Sequence, residues 1–122
     1  MAYEVPGFKL GTRIAGADLS AKQFHLVKLS ADGKVALAGD GELSFPLQGT
    51  PIADESADVM ISGVSKVVSG AAVAEGAILA CDAAGKAITA VTGKEGLGLA
   101  LSAAAGADEI IPVLLIQLGV QA

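Results

Sequence analysis

Short aliphatic runs alternate with glycine along most of the chain. Runs of about five residues rich in Val, Ile and Leu, bounded by turn formers, predict strands. The pattern places eight of them, at residues 24–29, 34–38, 43–47, 59–68, 77–81, 86–91, 97–101 and 109–118. No stretch holds an apolar stripe at helical spacing for the length a helix needs. Residues 71–75 are bracketed by Gly70 and Gly76, and residues 102–105 have room for one helical turn before Gly106. The expectation is an all-β domain with at most one short helical turn.

Two turns carry the clearest local signal. An Asp32-Gly33 pair separates two apolar runs, and Gly33 can take the positive φ that a tight hairpin demands. A second run, Cys81-Asp-Ala-Ala-Gly-Lys86, repeats the plan. At an offset of 52, Gly33 matches Gly85, Lys34 matches Lys86 and Ala38 matches Ala90. The match reads either as two copies of one hairpin, which suggests a two-hairpin barrel or sandwich, or as convergent turn chemistry.

The two ends of the chain differ from the middle. Residues 1–20 hold Tyr3, Val5, Phe8, Leu10 and Ile14 among Pro6, Gly7, Gly11 and Gly16. This stretch is too broken for a strand and too apolar to float freely, so it reads as an extended arm, with 21–122 as one β domain. The run Glu109-Ile-Ile-Pro-Val-Leu-Leu-Ile-Gln-Leu118 is apolar on both alternating faces. Such a strand is covered on both sides, and Pro112 favours an edge or a strand start. An uncovered apolar edge is an aggregation hazard, so a second copy is expected over Ile110, Pro112, Leu114 and Ile116.

Composition strengthens the case for burial between molecules. The 122 residues are 52% hydrophobic and 17% charged, with no Trp, one Tyr and three Phe, against about 25% charged in an ordinary domain. Scarce surface charge and a ring-poor core point to association. The net charge is −5, which leaves no basic footprint for nucleic acid. Residues 1–34 carry five basic and three acidic side chains, and residues 35–122 carry three lysines and ten acids. The two ends are therefore expected to face different surroundings. Neither a leader nor a run of about 20 apolar residues is present, so the chain reads as soluble, made in a cytoplasm and not membrane-bound.

The search for chemistry yields no site. Cys81 is the single cysteine and His25 the single histidine. One cysteine forms no internal disulfide, and a thiol or serine nucleophile would need His25 as its base, which lies in a strand pattern without a flanking acid. Asp54, Glu55 and Asp58 lack the alternating ligands and central glycine of a calcium loop. The glycine-rich run 93–98 lacks the Gly-Lys-Ser/Thr of a phosphate cradle. Lys86 follows a tight turn like the modified lysine of a biotinyl or lipoyl carrier, but without the flanking residues. No catalytic residue, metal or cofactor is expected.

Taken together, residues 18–118 resemble the bacteriophage capsid cement, or head decoration, family. The resemblance rests on Asp18-Leu-Ser20, on Phe24-His-Leu-Val-Lys-Leu-Ser-Ala-Asp-Gly-Lys-Val35, on Gly63, and on Gly70-Ala-Ala-Val-Ala-Glu-Gly-Ala-Ile-Leu79. Asp82-Ala-Ala-Gly-Lys86 and Gly98-Leu-Ala-Leu-Ser-Ala-Ala-Ala-Gly-Ala-Asp-Glu-Ile-Ile-Pro-Val-Leu-Leu115 complete it. It implies a small β-barrel or β-tulip-like sandwich without catalytic residues. It also implies a homotrimer at three-fold or quasi-three-fold sites on the outside of a phage head, bound to the major capsid protein and bracing the shell against packaged DNA. Such a protein is made in the host cytoplasm and resides on the virion. By position the arm would contact the shell, through Tyr3, Val5, Phe8, Lys9 and Arg13. The alternative is a phage surface-binding module, either a head-fibre base or a glycan-binding domain.

Overall fold

The computed structural model describes Glu4 and residues 13–121, without the side chain of Gln117. Tyr3, Val5, Phe8 and Lys9 lie outside the described residues. Eight strands form, one for each predicted segment. They are β1 (Leu26–Leu29), β2 (Val35–Leu37), β3 (Phe45–Pro46), β4 (Gly63–Val68), β5 (Ile78–Cys81), β6 (Ala87–Thr89), β7 (Glu95–Ala100) and β8 (Ile110–Val120). They build two antiparallel sheets, ordered β2-β1-β3 and β4-β8-β7-β5-β6. The fold is all-β and sandwich-like. The expected barrel is not formed, because neither sheet closes on itself.

No helix occurs among the described residues. The two stretches with helical promise instead meet as partners, Val73 bridging Ala104. Strand pairing there satisfies two backbone segments at once, which an isolated helical turn cannot do.

β8 is an interior strand between β4 and β7, so of the two positions Pro112 favours, an edge or a strand start, the edge is not taken and Pro112 lies near the start of β8. In an antiparallel ladder the N–H and C=O of a residue point to the same neighbour. The Pro112 carbonyl accepts from Leu101 N–H, just past the end of β7. The missing donor therefore falls where the ladder has already ended.

The hairpin match at offset 52 is one part of a larger repetition. Val27 pairs with Leu37 in the first hairpin and Leu79 with Thr89 in the second. The Gly33 and Gly85 N–H groups close the turns on Ser30 and Asp82, with φ of 80° and 77°. The third strand follows: Leu26–Pro46 becomes Ile78–Leu99. Leu47–Val59 becomes Ala100–Val113, and Ile14–Ser56 becomes Val68–Ile110. The parallel bridge Ala15–Val35 becomes Ser69–Ala87. The acidic turns match as well. Asp54 and Asp108 both have positive φ, 68° and 65°, a conformation Asp tolerates better than most residues. Their carboxylates receive Lys34 and Lys86 at 3.2 and 2.5 Å, while Glu55 and Glu109 accept the N–H of Ile52 and Gly106 at 2.9 Å. Residues 13–61 and 67–115 are thus two copies of one β unit, an N-terminal and a C-terminal half.

Each half has its own core. Ala15, Leu19, Val27, Val35, Leu47, Ala57 and Val59 fill the first, so residues 15 and 19 of the predicted arm pack into the domain. Val73, Leu79, Ala87, Ala100, Ile111 and Val113 fill the second, and Leu26, Ala38 and Met60 of the N-terminal half enter it. Small residues permit close approach: a methyl group at Gly98 would collide with the Leu114 carbonyl oxygen. Gly98→Ala is expected to destabilise by about 3 kcal/mol through overpacking. Gly106→Ala, which meets nothing within 4 Å, should stay within about 1 kcal/mol; urea midpoints at unchanged slope measure both.

Candidate functional site

The surface offers aliphatic area rather than a catalytic cleft. Alternation along β8 sends Ile111, Val113 and Leu115 into the core and leaves Ile110, Ile116, Leu118 and Val120 exposed. Leu114 is half-buried, and Pro112 is buried within the chain. β4 starts opposite Leu115. Beyond that point β8 pairs only with β7 through Gly119 and Val120, and no named strand lies on its other side. Among the described residues, 116–120 therefore present an unpaired sheet edge flanked by aliphatic side chains, a ready template for association.

Two further aliphatic sites lie at opposite ends of the tandem. In the N-terminal half, Val27, Leu29, Val35, Phe45 and Val59 line an apolar cavity of about 90 Å³. In the C-terminal half, Ile78, Thr89, Ala90, Val91 and Gln121 line an open groove. Leu29, Ile78 and Val91 are exposed large hydrophobic residues. Of the predicted contact residues, Arg13 is exposed, and its carbonyl accepts Ala57 N–H at the edge of the N-terminal half.

Charged groups pair with one another instead of converging on a pocket. Lys28 holds Glu42 at 2.9 Å, and Lys94 pairs with Asp40 across the two halves. The hydrogen bond from Lys86 holds the Asp108 carboxyl below the usual range and raises the Lys86 ammonium. No group of three metal-ligating side chains occurs among the described residues. No helix among them is long and apolar enough to cross a membrane.

Cys81 and His25 are both buried. Desolvation, aided by the Asp82 charge, pushes the Cys81 thiol up to about 12. A nucleophilic thiol needs the opposite shift. Burial also depresses the His25 imidazole, against the hydrogen bond its Nδ1 makes with the Gln23 carbonyl at 3.3 Å. The Cys81 sulfur lies against the Ala38 and Asp82 carbonyls, and the His25 ring against the Gln23 carbonyl, so the two face different partners.

Two expected outcomes follow from these environments. Cys81 should resist a thiol-reactive disulfide reagent at pH 8 in the folded protein and react fully in denaturant. Burial lowers the His25 value in the folded state, whereas in the unfolded chain His25 takes a proton below its ordinary value of 6.5. The unfolded state then binds more protons, so stability should fall as the pH drops through 6.5 toward the lower folded value. His25→Gln should flatten that part of the urea-midpoint profile.

The model of the phage cement protein family matches residues 9–115. The crystal structure of the head fiber gp8.5 N base of bacteriophage phi29 is similar, with a TM-score of 0.69 at 13% identity. The alignment covers 94% of this chain and 98% of that one, and at such low identity it speaks to the fold. No curated protein matches. The fold, the aliphatic surfaces and the match over most of its length agree: this chain belongs to the phage cement protein family.

Proposed function

We propose that the protein binds the outside of a phage head, contacts the major capsid protein and stabilises the shell against the pressure of packaged DNA. The observation that carries this reading is the family match across residues 9–115. The surface chemistry supports it. Exposed aliphatic side chains on β8 and at both ends of the tandem are suited to protein contacts, whereas Lys28, Lys34, Lys86 and Lys94 are paired with carboxylates and Cys81 and His25 are buried. Such a protein acts through binding free energy alone, and many copies on one lattice make a modest affinity per copy collectively large.

A homotrimer suits three-fold or quasi-three-fold sites, because a symmetric oligomer then makes identical contacts with each surrounding subunit. In this reading the arm, residues 1–20, contacts the shell through Tyr3, Val5, Phe8, Lys9 and Arg13, while Ala15 and Leu19 anchor its end in the core of the single domain 21–122. Ile110, Leu114 and Ile116 contribute apolar area to self-association. The chemistry is binding, without a catalytic step, cofactor, nucleic acid or membrane partner.

The likeness to a head-fibre base favours one second reading, a platform that carries an appendage on the shell. The two readings separate in one experiment. Purified protein is sedimented with empty capsids, and capsid heat resistance is measured with and without it. A cement protein co-sediments to a saturating, symmetry-related copy number and raises the disruption temperature. A fibre base saturates but leaves that temperature unchanged, and failure to co-sediment contradicts both.

A further inference from the structure

The contact between the two halves of the chain is not reciprocal, and that leaves one face of each half unused. The second hairpin turn sits against the first half: the Leu26 N–H donates to the Gly85 carbonyl at 2.6 Å and the Gly41 N–H to the Cys81 carbonyl at 2.8 Å. The Cys81 sulfur lies 3.8 Å from the Ala38 carbonyl. A methyl group at Gly85 would meet Leu37 at 2.5 Å. The C-terminal half therefore offers its hairpin turn, and the N-terminal half offers a receiving surface of Leu26, Leu37 and Ala38. A two-fold arrangement would need the mirror contact, with the first hairpin turn against Ile78, Thr89 and Ala90. Among the described residues that contact is absent: a methyl group at Gly33 would meet nothing within 4 Å.

Exposure follows the same asymmetry. In the offered hairpin, Cys81 is 0% exposed, whereas its counterpart Leu29 is 48% exposed. In the receiving surface, Leu26 is 0% exposed, whereas its counterpart Ile78 is 36% exposed and the adjacent Val91 is 55% exposed. At the rim, Gly41 lies against Lys94, while its counterpart Gly93 has open space. The chain thus carries one used and one unused copy of both sides of a single interface.

We infer that the occupant is a second copy of this chain, bound head to tail, with its first hairpin turn, residues 29–34, seated in the groove of Ile78, Thr89, Ala90 and Val91. The contact between chains repeats the contact within the chain, so its geometry and apolar character are already present in the fold. One element differs. The Gly93 N–H is bonded to the Gln121 carbonyl at 2.7 Å, so the Gly41 hydrogen bond has no counterpart and the C-terminal tail forms a wall of the groove. A heterologous contact of this kind closes into a ring when its rotation permits. A three-chain ring contains six equivalent units, a trimer in composition with six-fold character in its packing. The inference rests on the self-association in the proposed function and not on capsid binding.

The test uses full-length protein without capsids, so its failure leaves capsid binding untouched. Sedimentation at tens of micromolar should give a closed oligomer for the parent. Leu29→Glu spoils the hairpin face and Val91→Glu the groove face, and each variant alone should sediment as a folded monomer. Mixed in equal amounts, they should form a one-to-one heterodimer through the two intact faces, and stop at two chains because the remaining faces are spoiled. Since the Cys81 sulfur approaches Ala38, the double variant Leu29→Cys/Ala90→Cys should form disulfides between chains on mild oxidation. Each single cysteine variant should not, and this readout stands if a glutamate variant fails to fold. A monomeric parent, single variants that assemble like the parent, a mixture without heterodimer, or cross-linking by Leu29→Cys alone would each overturn the inference.

Discussion

The contact between the two halves is the interaction on which the molecule depends. A unit of about 50 residues buries too little surface to be secure alone, and this one has few rings to fill its interior. Each half assembles a small aliphatic cluster, and the C-terminal cluster is completed by Leu26, Ala38 and Met60 from the other half. The two halves thus share a core instead of standing side by side. Alanine and glycine matter because they bring backbones close. The approach of the Gly85 turn to Leu37 leaves no room for a side chain at that position.

Much of this plan was legible in the sequence. Glycine-bounded aliphatic runs located all eight strands, since a pleated, half-buried surface selects Val, Ile and Leu wherever it occurs. The hairpin repeat was visible because the turn fixes both its glycine and the lysine that follows. The wider repetition was hidden. The offset is 52 through the hairpins, 53 at the third strand and 54 in the acidic turns, so a comparison at one spacing loses the match. Side chains hide it further, as Lys28 of one copy is replaced by Ala80 in the other and Leu29 by Cys81. What persists is backbone hydrogen bonding and the sign of φ at Asp54 and Asp108, which composition does not reveal.

Pro112 shows how a sound local rule can leave two places open. Proline lacks a donor and is therefore expected at an edge or a strand start; β8 lies in the middle of its sheet, with Pro112 near its start. The rule concerns one N–H rather than a whole strand, and at Pro112 that N–H would point past the end of β7. The surfaces were less legible than the core. Alternation along β8 separated inward from outward residues, but exposure of Leu29, Ile78 and Val91 depends on which half covers which. The chemistry was legible as a lack of candidates, and burial of Cys81 and His25 accounts for their passivity.

A shared core has a direct consequence for how the molecule opens, and native-state hydrogen exchange reads it. The amides of Leu26 and Gly41, which bond across the halves to Gly85 and Cys81, should exchange with the same opening free energy as Leu79 and Val113 inside the C-terminal cluster. That equality would mean that the halves come apart only when the whole protein unfolds. Exchange of the Leu26 and Gly41 amides through a markedly cheaper opening, with Leu79 and Val113 still protected, would contradict the account.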